Sequence, residues 1–217
     1  MKVLILIISS DNNPAYEKHH KIWRFYMNSN PYIDAYFIKY HDGEVGIQGD
    51  TLYFNGIESL ENIIFKTLDA FEYFKSKPYD FIIRSNLSSL WNYTALLNYL
   101  ESLPRENVYS GIIGNHNNLI PFISGSGFIM TPDVVKLLLN NRSQAENVKI
   151  IDDVDIGYTL EKLDVPRLHG SRQDFYSKNM VDTYIYDPSI YHYRFKWHDP
   201  SNRNEEGDCM LKIMENF

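Results

Sequence analysis

A chain of 217 residues, 44% hydrophobic and 23% charged, has the length and composition of one globular domain and excludes a disordered or fibrous architecture. Its net charge of −7 excludes a nucleic-acid binder that works by bulk electrostatics, because neutralising phosphates takes an excess of Lys and Arg on one face. The single Cys209 excludes an internal disulfide framework and suits a reducing compartment, which makes the sequons at Asn86, Asn92 and Asn141 incidental.

Val3 to Ile8 is an unbroken apolar run of the kind buried on both faces of a parallel sheet, too short to span a bilayer. Ser9 to Pro14 is a cluster of turn formers. Ile22, Trp23, Tyr26 and Met27 then recur at helical spacing over Ala15 to Met27, and Ala35 to Tyr40 returns to strand composition, which completes a β-α-β unit. Asp50 to Phe54 is a short strand candidate. From Ser59 to Phe74 the apolar residues follow one helical stripe.

Phe81 to Ile83 predicts the next buried strand and Trp91 to Leu103 the helix after it. Tyr109 to Ile113 and Phe122 to Met130 are strand candidates, the second interrupted by Ser124-Gly125-Ser126-Gly127. Thr131-Pro132-Asp133 starts a helix running to about Asn140, with Thr131 in the N-cap position. Another helix follows Asp152-Asp153 to about Leu163, and the tail carries two polar, aromatic strands and a last helix from Glu205 to Met214. No repeat or linker breaks this order, so the expectation is one α/β domain over 1–217, standing alone or cut from a longer polypeptide. Its sheet is mixed and mostly parallel, flanked by helices. No segment reaches spanning length, so a soluble, cytoplasmic protein is expected.

Ligands of such sheets lie beyond the carboxyl ends of the strands. After the first strand come Ser9, Ser10 and Asp11, hydroxyls and a carboxylate suited either to a ribose or base edge or to capping the next helix. No GxGxxG or GxxxxGK[ST] run is present. In FISGSGFIMT the glycines let another backbone or a ligand approach, or form a bulge. The acids of KIIDDVDIGYTLEKL collect ahead of a helix, where they cap its dipole or, beside an acceptor hydroxyl, serve as a base.

Together these runs resemble the glycosyltransferases of the GT-A fold, especially the fringe and β-1,3-galactosyltransferase-like group and its relatives in large DNA viruses. The matching order is LENIIFKTLDAFEYF, YDFIIRSNLSSLWN, FISGSGFIMTPDVVKLL and IIDDVDIGYTLEKL, from about Leu60 to Leu163. The resemblance implies transfer of a sugar from a nucleoside diphosphate, such as a UDP-hexose, to a hydroxyl of a glycan or glycoprotein, with inversion and with Asp153 as base. Asp152 would then shape the site or meet the acceptor, and Ser124, Gly125, Ser126 and Gly127 would lie against donor sugar or acceptor.

The family's Asp-x-Asp, which holds a divalent cation against the diphosphate, is replaced here by Arg84-Ser85-Asn86-Leu87-Ser88. Mg²⁺ and Mn²⁺ favour charged oxygen ligands, so the expectation is a site needing no metal cofactor. Arg84, Lys66, Arg194 and Lys196 would stabilise the leaving charge, and Ser85, Asn86 and Ser88 would bond ribose or sugar. Alternatively Arg84 pairs with a carboxylate, or a cation is held by Asp11, Asp152 or a histidine. In Tyr191 to Lys196, strand alternation puts His192, Arg194 and Lys196 on one face, either to reach the diphosphate or as an exposed polar edge. A sugar-binding domain without catalysis is the competing reading, ahead of a nucleotidyltransferase.

Overall fold

The computed structural model describes residues 1–197 and 203–217. An eight-stranded sheet is built from β1 (Val3–Ile8), β2 (Ile33–His41), β3 (Gly46–Gln48), β4 (Thr51–Asn55), β5 (Phe81–Asn86), β7 (Tyr109–His116), β8 (Ile120–Met130) and β9 (Arg167–His169), in the spatial order 3-4-2-1-5-8-7-9. Strands β4, β2, β1 and β5 are parallel neighbours, while β8 runs antiparallel to both β5 and β7. A smaller sheet holds β10 (Arg172–Phe175), β11 (His192–Phe195) and β6 (Ser89–Trp91) in the order 10-11-6.

The helices are α1 (Ala15–Tyr26), α2 (Ile63–Phe74), α3 (Tyr93–Ser102), α4 (Pro132–Asn140), α5 (Arg142–Val148), α6 (Asp152–Lys162), α7 (Lys178–Asp182) and α8 (Asn204–Met214). Both faces of β1 are covered, which is why its sequence is continuously apolar rather than alternating. Val3, Ile5 and Ile7 join a core with Trp23 of α1, Leu96 of α3 and Met210 of α8. Leu4, Leu6 and Ile8 join a second core with Leu68 of α2, Val135 of α4 and Ile156 of α6.

Several boundaries differ from the sequence expectation, each for a local reason. Helix α2 begins at Ile63 because Ser59 is used in the preceding turn, where its hydroxyl accepts from Asn62 N at 3.3 Å. Strand β5 continues through Arg84, Ser85 and Asn86, whose backbones pair with Leu6, Ile7 and Ile8. Trp91 belongs to β6, and α3 starts two residues later, capped by Asn92, whose side chain accepts from Ala95 N at 3.1 Å. Thr131 precedes α4, but its hydroxyl accepts from Val108 N at 3.1 Å instead of capping the helix. The short β3, β6, α5 and α7 carry no periodic signal and fall outside the sequence expectation, and the tail holds three strands, β9, β10 and β11, rather than two.

The Ser-Gly-Ser-Gly run is a bulge inside one strand. On β7, Gly111 pairs with Phe128 and Ile113 with Ile123, so Ser124 to Gly127 stand opposite the single residue Ile112. A Cβ at Gly111 would stand 2.5 Å from Ile123 Cγ2 and 2.8 Å from the Gly127 carbonyl oxygen, so glycine is what allows the bulge to sit there.

Candidate active site

A cleft of about 610 Å³ opens past the carboxyl ends of β1 and β5. The chain leaves β1 toward β2 on one side and returns to β5 on the other, which makes this the place where a doubly wound sheet leaves room for a ligand. Of the residues expected in the site, the cleft wall brings together Ser9, Ser10, Lys66, Arg84, Asn86, Ser88, Ser124, Gly125, Ser126, Asp152, Asp153, Arg194 and Lys196.

Asp153 stands in the first turn of α6, where the helix dipole favours its charge. One carboxylate oxygen accepts from Gly125 N at 2.6 Å, and the other from Val154 N at 3.0 Å. The bulge and the helix start are thereby joined through this side chain. A Cβ at Gly125 would stand 2.8 Å from Arg84 Nη1 and 3.0 Å from Asp153 Oδ2, so only glycine lets the three approach.

Beside it, Arg84 donates to Asp152 at 2.5 Å, both almost fully buried. Burial pushes the Asp152 carboxyl above its ordinary range, and the Arg84 charge opposes that rise. Arg84 therefore takes the carboxylate pairing that the sequence left open, and its charge is largely neutralised within the wall. Lys66 is buried as well, donating to the Ser9 carbonyl at 2.8 Å and to Glu58 at 2.5 Å. Desolvation lowers its pKa against the pull of Glu58. It ties α2 to the end of β1. Ser9 is fixed further by a 2.6 Å hydrogen bond to His20 Nε2.

Four expected residues are not brought to the cleft. Asp11 points outward and pairs with Lys39 at 2.7 Å, an interaction that outweighs the effect of partial burial and lowers its pKa. Ser85 faces the opposite side of β5, where its hydroxyl accepts from Trp91 Nε1 at 2.9 Å. Gly127 is under the aromatic floor: a Cβ there would stand 2.5 Å from His192 and 2.6 Å from Trp91. His192 is fully buried, stacked on Trp91 with ring centroids 4.2 Å apart and bonded to Ser89 Oγ at 3.1 Å. Burial, with Arg172 and Arg194 nearby, depresses its pKa far below the ordinary histidine value. The alternation in the tail held, yet it fixes a face and not a depth: Arg194 and Lys196 reach the cleft while His192 lies beneath it.

The small sheet explains this wall. Its apolar face, with Leu90, Phe175, Tyr193 and Phe195, enters the core. Its polar face, with Ser89, Arg172, Asp174, His192 and Arg194, meets the bulge. Asp174 is shared by two guanidinium groups, accepting from Arg172 at 2.9 Å and lying 3.7 Å from Arg194, so this wall keeps a surplus of positive charge. Arg194 is not hydrogen-bonded to Asp174 at that distance. The sequence reading missed Glu58, Arg172, Tyr16 and Arg203. Only Arg203, a cation just before the last helix, carried a signal of its own; it now lines the cleft, bonded to Glu206 at 3.1 Å and Tyr16 at 3.1 Å.

Asp11, Asp152 and His192, the alternative metal ligands, are held apart by these separate partners. At the end of β5 the side chains facing the cleft are the neutral Asn86 and Ser88, and the carboxylate of Asp152 is committed to Arg84. Asn86 and Ser88, standing where the resembled family has two carboxylates, offer a hard divalent cation only neutral ligands.

The galactosyltransferase family model matches residues 113–171, a segment that spans the bulge and the Asp152-Asp153 helix start. Among solved structures, the chain is similar to a glycosyltransferase involved in the glycosylation of the major capsid of PBCV-1. That similarity has a TM-score of 0.62 at 10% identity and covers 96% of this chain and 99% of that one. It is also similar to the galactosyltransferase LgtC, solved in complex with donor and acceptor sugar analogs, with a TM-score of 0.55 at 9% identity over 99% of this chain and 96% of that one. No curated protein matches the sequence. At these identities the structural likeness is one of fold, and the fold is that of the GT-A glycosyltransferases, as the sequence resemblance implied.

Proposed function

We propose that the protein transfers a hexose or deoxyhexose from a UDP-sugar to a hydroxyl of a glycan or glycoprotein, with inversion and without a metal cofactor. The observation that carries this reading is Asp153, held by Gly125 N at 2.6 Å in the cleft that the cations Arg194 and Lys196 also line. The family match over the same segment, 113–171, supports it.

In this mechanism the acceptor oxygen attacks the anomeric carbon as its proton passes to Asp153. The bond from that carbon to the diphosphate oxygen breaks with its electron pair on the leaving diphosphate. Arg194 and Lys196 face the charge that develops there, and cations aimed at a developing charge are where such a site gains rate. Asn86 and Ser88 supply hydrogen bonds to ribose or sugar, with Ser9 and Ser10 at the end of β1. Arg84 acts indirectly, holding Asp152 and with it the start of α6. Retention of the sheet with neutral groups where the family has Asp-x-Asp also suits a domain that binds a sugar nucleotide without turning it over.

Calorimetric titration with UDP and UDP-sugars, run with Mn²⁺ and again with EDTA, tests the pocket. Binding that survives EDTA is expected. Binding that needs Mn²⁺ removes the metal-free step, and no binding in either condition removes the donor. Asp153→Asn should then bind UDP like wild type and lose transfer; a wild type that binds but never transfers selects the non-catalytic reading.

A further inference from the structure

Arg172 does not line the cleft, yet it controls two hydroxyls that do. Its Nη1 donates to Ser124 Oγ at 2.9 Å and to Ser126 Oγ at 2.6 Å, while Nε and Nη2 grip Asp174 at 3.1 and 2.9 Å. The two serine oxygens are 3.1 Å apart. Each serine has one hydrogen to give. The contact allows either serine to donate; Ser126, at 3% exposure, is the more enclosed of the two, and donating to Ser124 gives its hydrogen a partner within the protein. In that direction Ser124 accepts from Arg172 and from Ser126, and its own hydrogen is left for the cleft.

We propose that Arg172 is a positioning residue that makes Ser124 a fixed hydrogen-bond donor to an oxygen of the acceptor sugar, beside the hydroxyl that Asp153 deprotonates. This deepens the glycosyltransfer reading and rests on it. Ser124 precedes the residue whose N–H holds Asp153, so the donor and the base are set by adjacent residues of one bulge. An arginine forking onto two oxygens also polarises the chain Arg172, Ser126, Ser124, which strengthens the final donor. A ligand oxygen that accepts from Ser124 is recognised; a sugar lacking that oxygen leaves the hydroxyl unpaired and is disfavoured.

The test is a double-mutant cycle on Arg172→Met and Ser124→Ala, with Arg172→Lys as the variant that keeps a charge beside Asp174 but cannot fork. Acceptor KM and kcat are measured with simple glycosides and the UDP-sugar the wild type uses, and UDP Kd by calorimetry. Each single variant is expected to raise acceptor KM about tenfold, the scale of one lost hydrogen bond, with UDP Kd unchanged in Ser124→Ala and Arg172→Lys, which keep the charge beside Asp174. In the Ser124→Ala background, Arg172→Met should add little further, because both act through one hydroxyl. Arg172→Lys should behave like Arg172→Met in KM while melting closer to wild type.

Additive effects, or an acceptor KM that stays at the wild-type value, overturn this inference and leave glycosyltransfer standing. A fall in kcat and UDP affinity together, tracking lost stability, also overturns it by making Arg172 a purely structural residue. A wild type that transfers no sugar to any acceptor removes the glycosyltransfer reading itself and this inference with it.

Discussion

The guanidinium of Arg84 and the carboxylate of Asp152 meet at 2.5 Å across 68 residues of chain, and they join the end of β5 to the first turn of α6. Two charges taken out of water are tolerable there because they pair with each other, and removing one strands its partner.

Arg84→Met should destabilise the protein by about 3 kcal/mol, read as a shift in the urea midpoint, because it leaves Asp152 buried and unpaired. Replacing both, as Arg84→Met with Asp152→Leu, should recover most of that loss. Burial raises the Asp152 pKa above its unfolded value, so the folded state holds this proton more tightly than the unfolded one. The stability this proton confers is present below the ordinary carboxylate range and lost as pH rises through the raised value; Asp152→Asn should remove that loss.

Three buried histidines act in the opposite direction. Burial lowers the pKa of His19 to about 3, and also lowers those of His20 and His192. The unfolded chain takes up their protons first, so stability should fall as pH drops below about 6.5, by up to about 1.4 kcal/mol per pH unit for each histidine. Thermal melts between pH 7 and 5 on His19→Phe and His192→Phe should show a shallower decline than wild type; an unchanged slope would mean those rings are charged when folded.

Gly125→Ala should cut transfer about 100-fold while UDP binding persists. The added methyl would stand 2.8 Å from Arg84 Nη1 and 3.0 Å from Asp153 Oδ2, displacing the carboxylate proposed as base. Single-turnover rates measure this directly, and a rate within twofold of wild type would show that Asp153 need not be held so closely.

Lys66→Met should cost about 2 kcal/mol and weaken UDP binding, since it leaves the partly buried Glu58 without its cation and frees the Ser9 carbonyl that the lysine holds at 2.8 Å. Denaturant curves and calorimetry on Lys66→Met and Glu58→Gln separate the two effects: Glu58→Gln keeps the bond to Ser9 and should retain UDP affinity.

Much of this was legible in the residue order. The continuous apolar run of β1 announced a strand covered on both faces, the 3.6-residue stripe of α2 announced its helix, and the two acids before a periodic run announced the start of α6. Proximity among distant segments was not legible. Nothing in the sequence ties Arg172 to serines 46 and 48 residues earlier, or Lys66 to a carbonyl 57 residues earlier. His192 shows the same limit from another side: alternation assigned its face, but burial beneath Gly127 depends on a bulge in a different strand. Glycines 125 and 127 were recognisable as places of close approach, and what approaches them is protein: Arg84 and Asp153 in one case, His192 and Trp91 in the other.

The bulge also separates two burdens that most strands carry at once. Ile123 and Phe128 keep their partners on β7 while the four residues between them stand opposite only Ile112, so that ladder runs past Ser124 to Gly127 without depending on them. Under the proposed function, exchanging Ser124 should therefore alter which sugars are accepted while that ladder endures, giving descendants of this scaffold a place to diversify in substrate choice with their architecture kept.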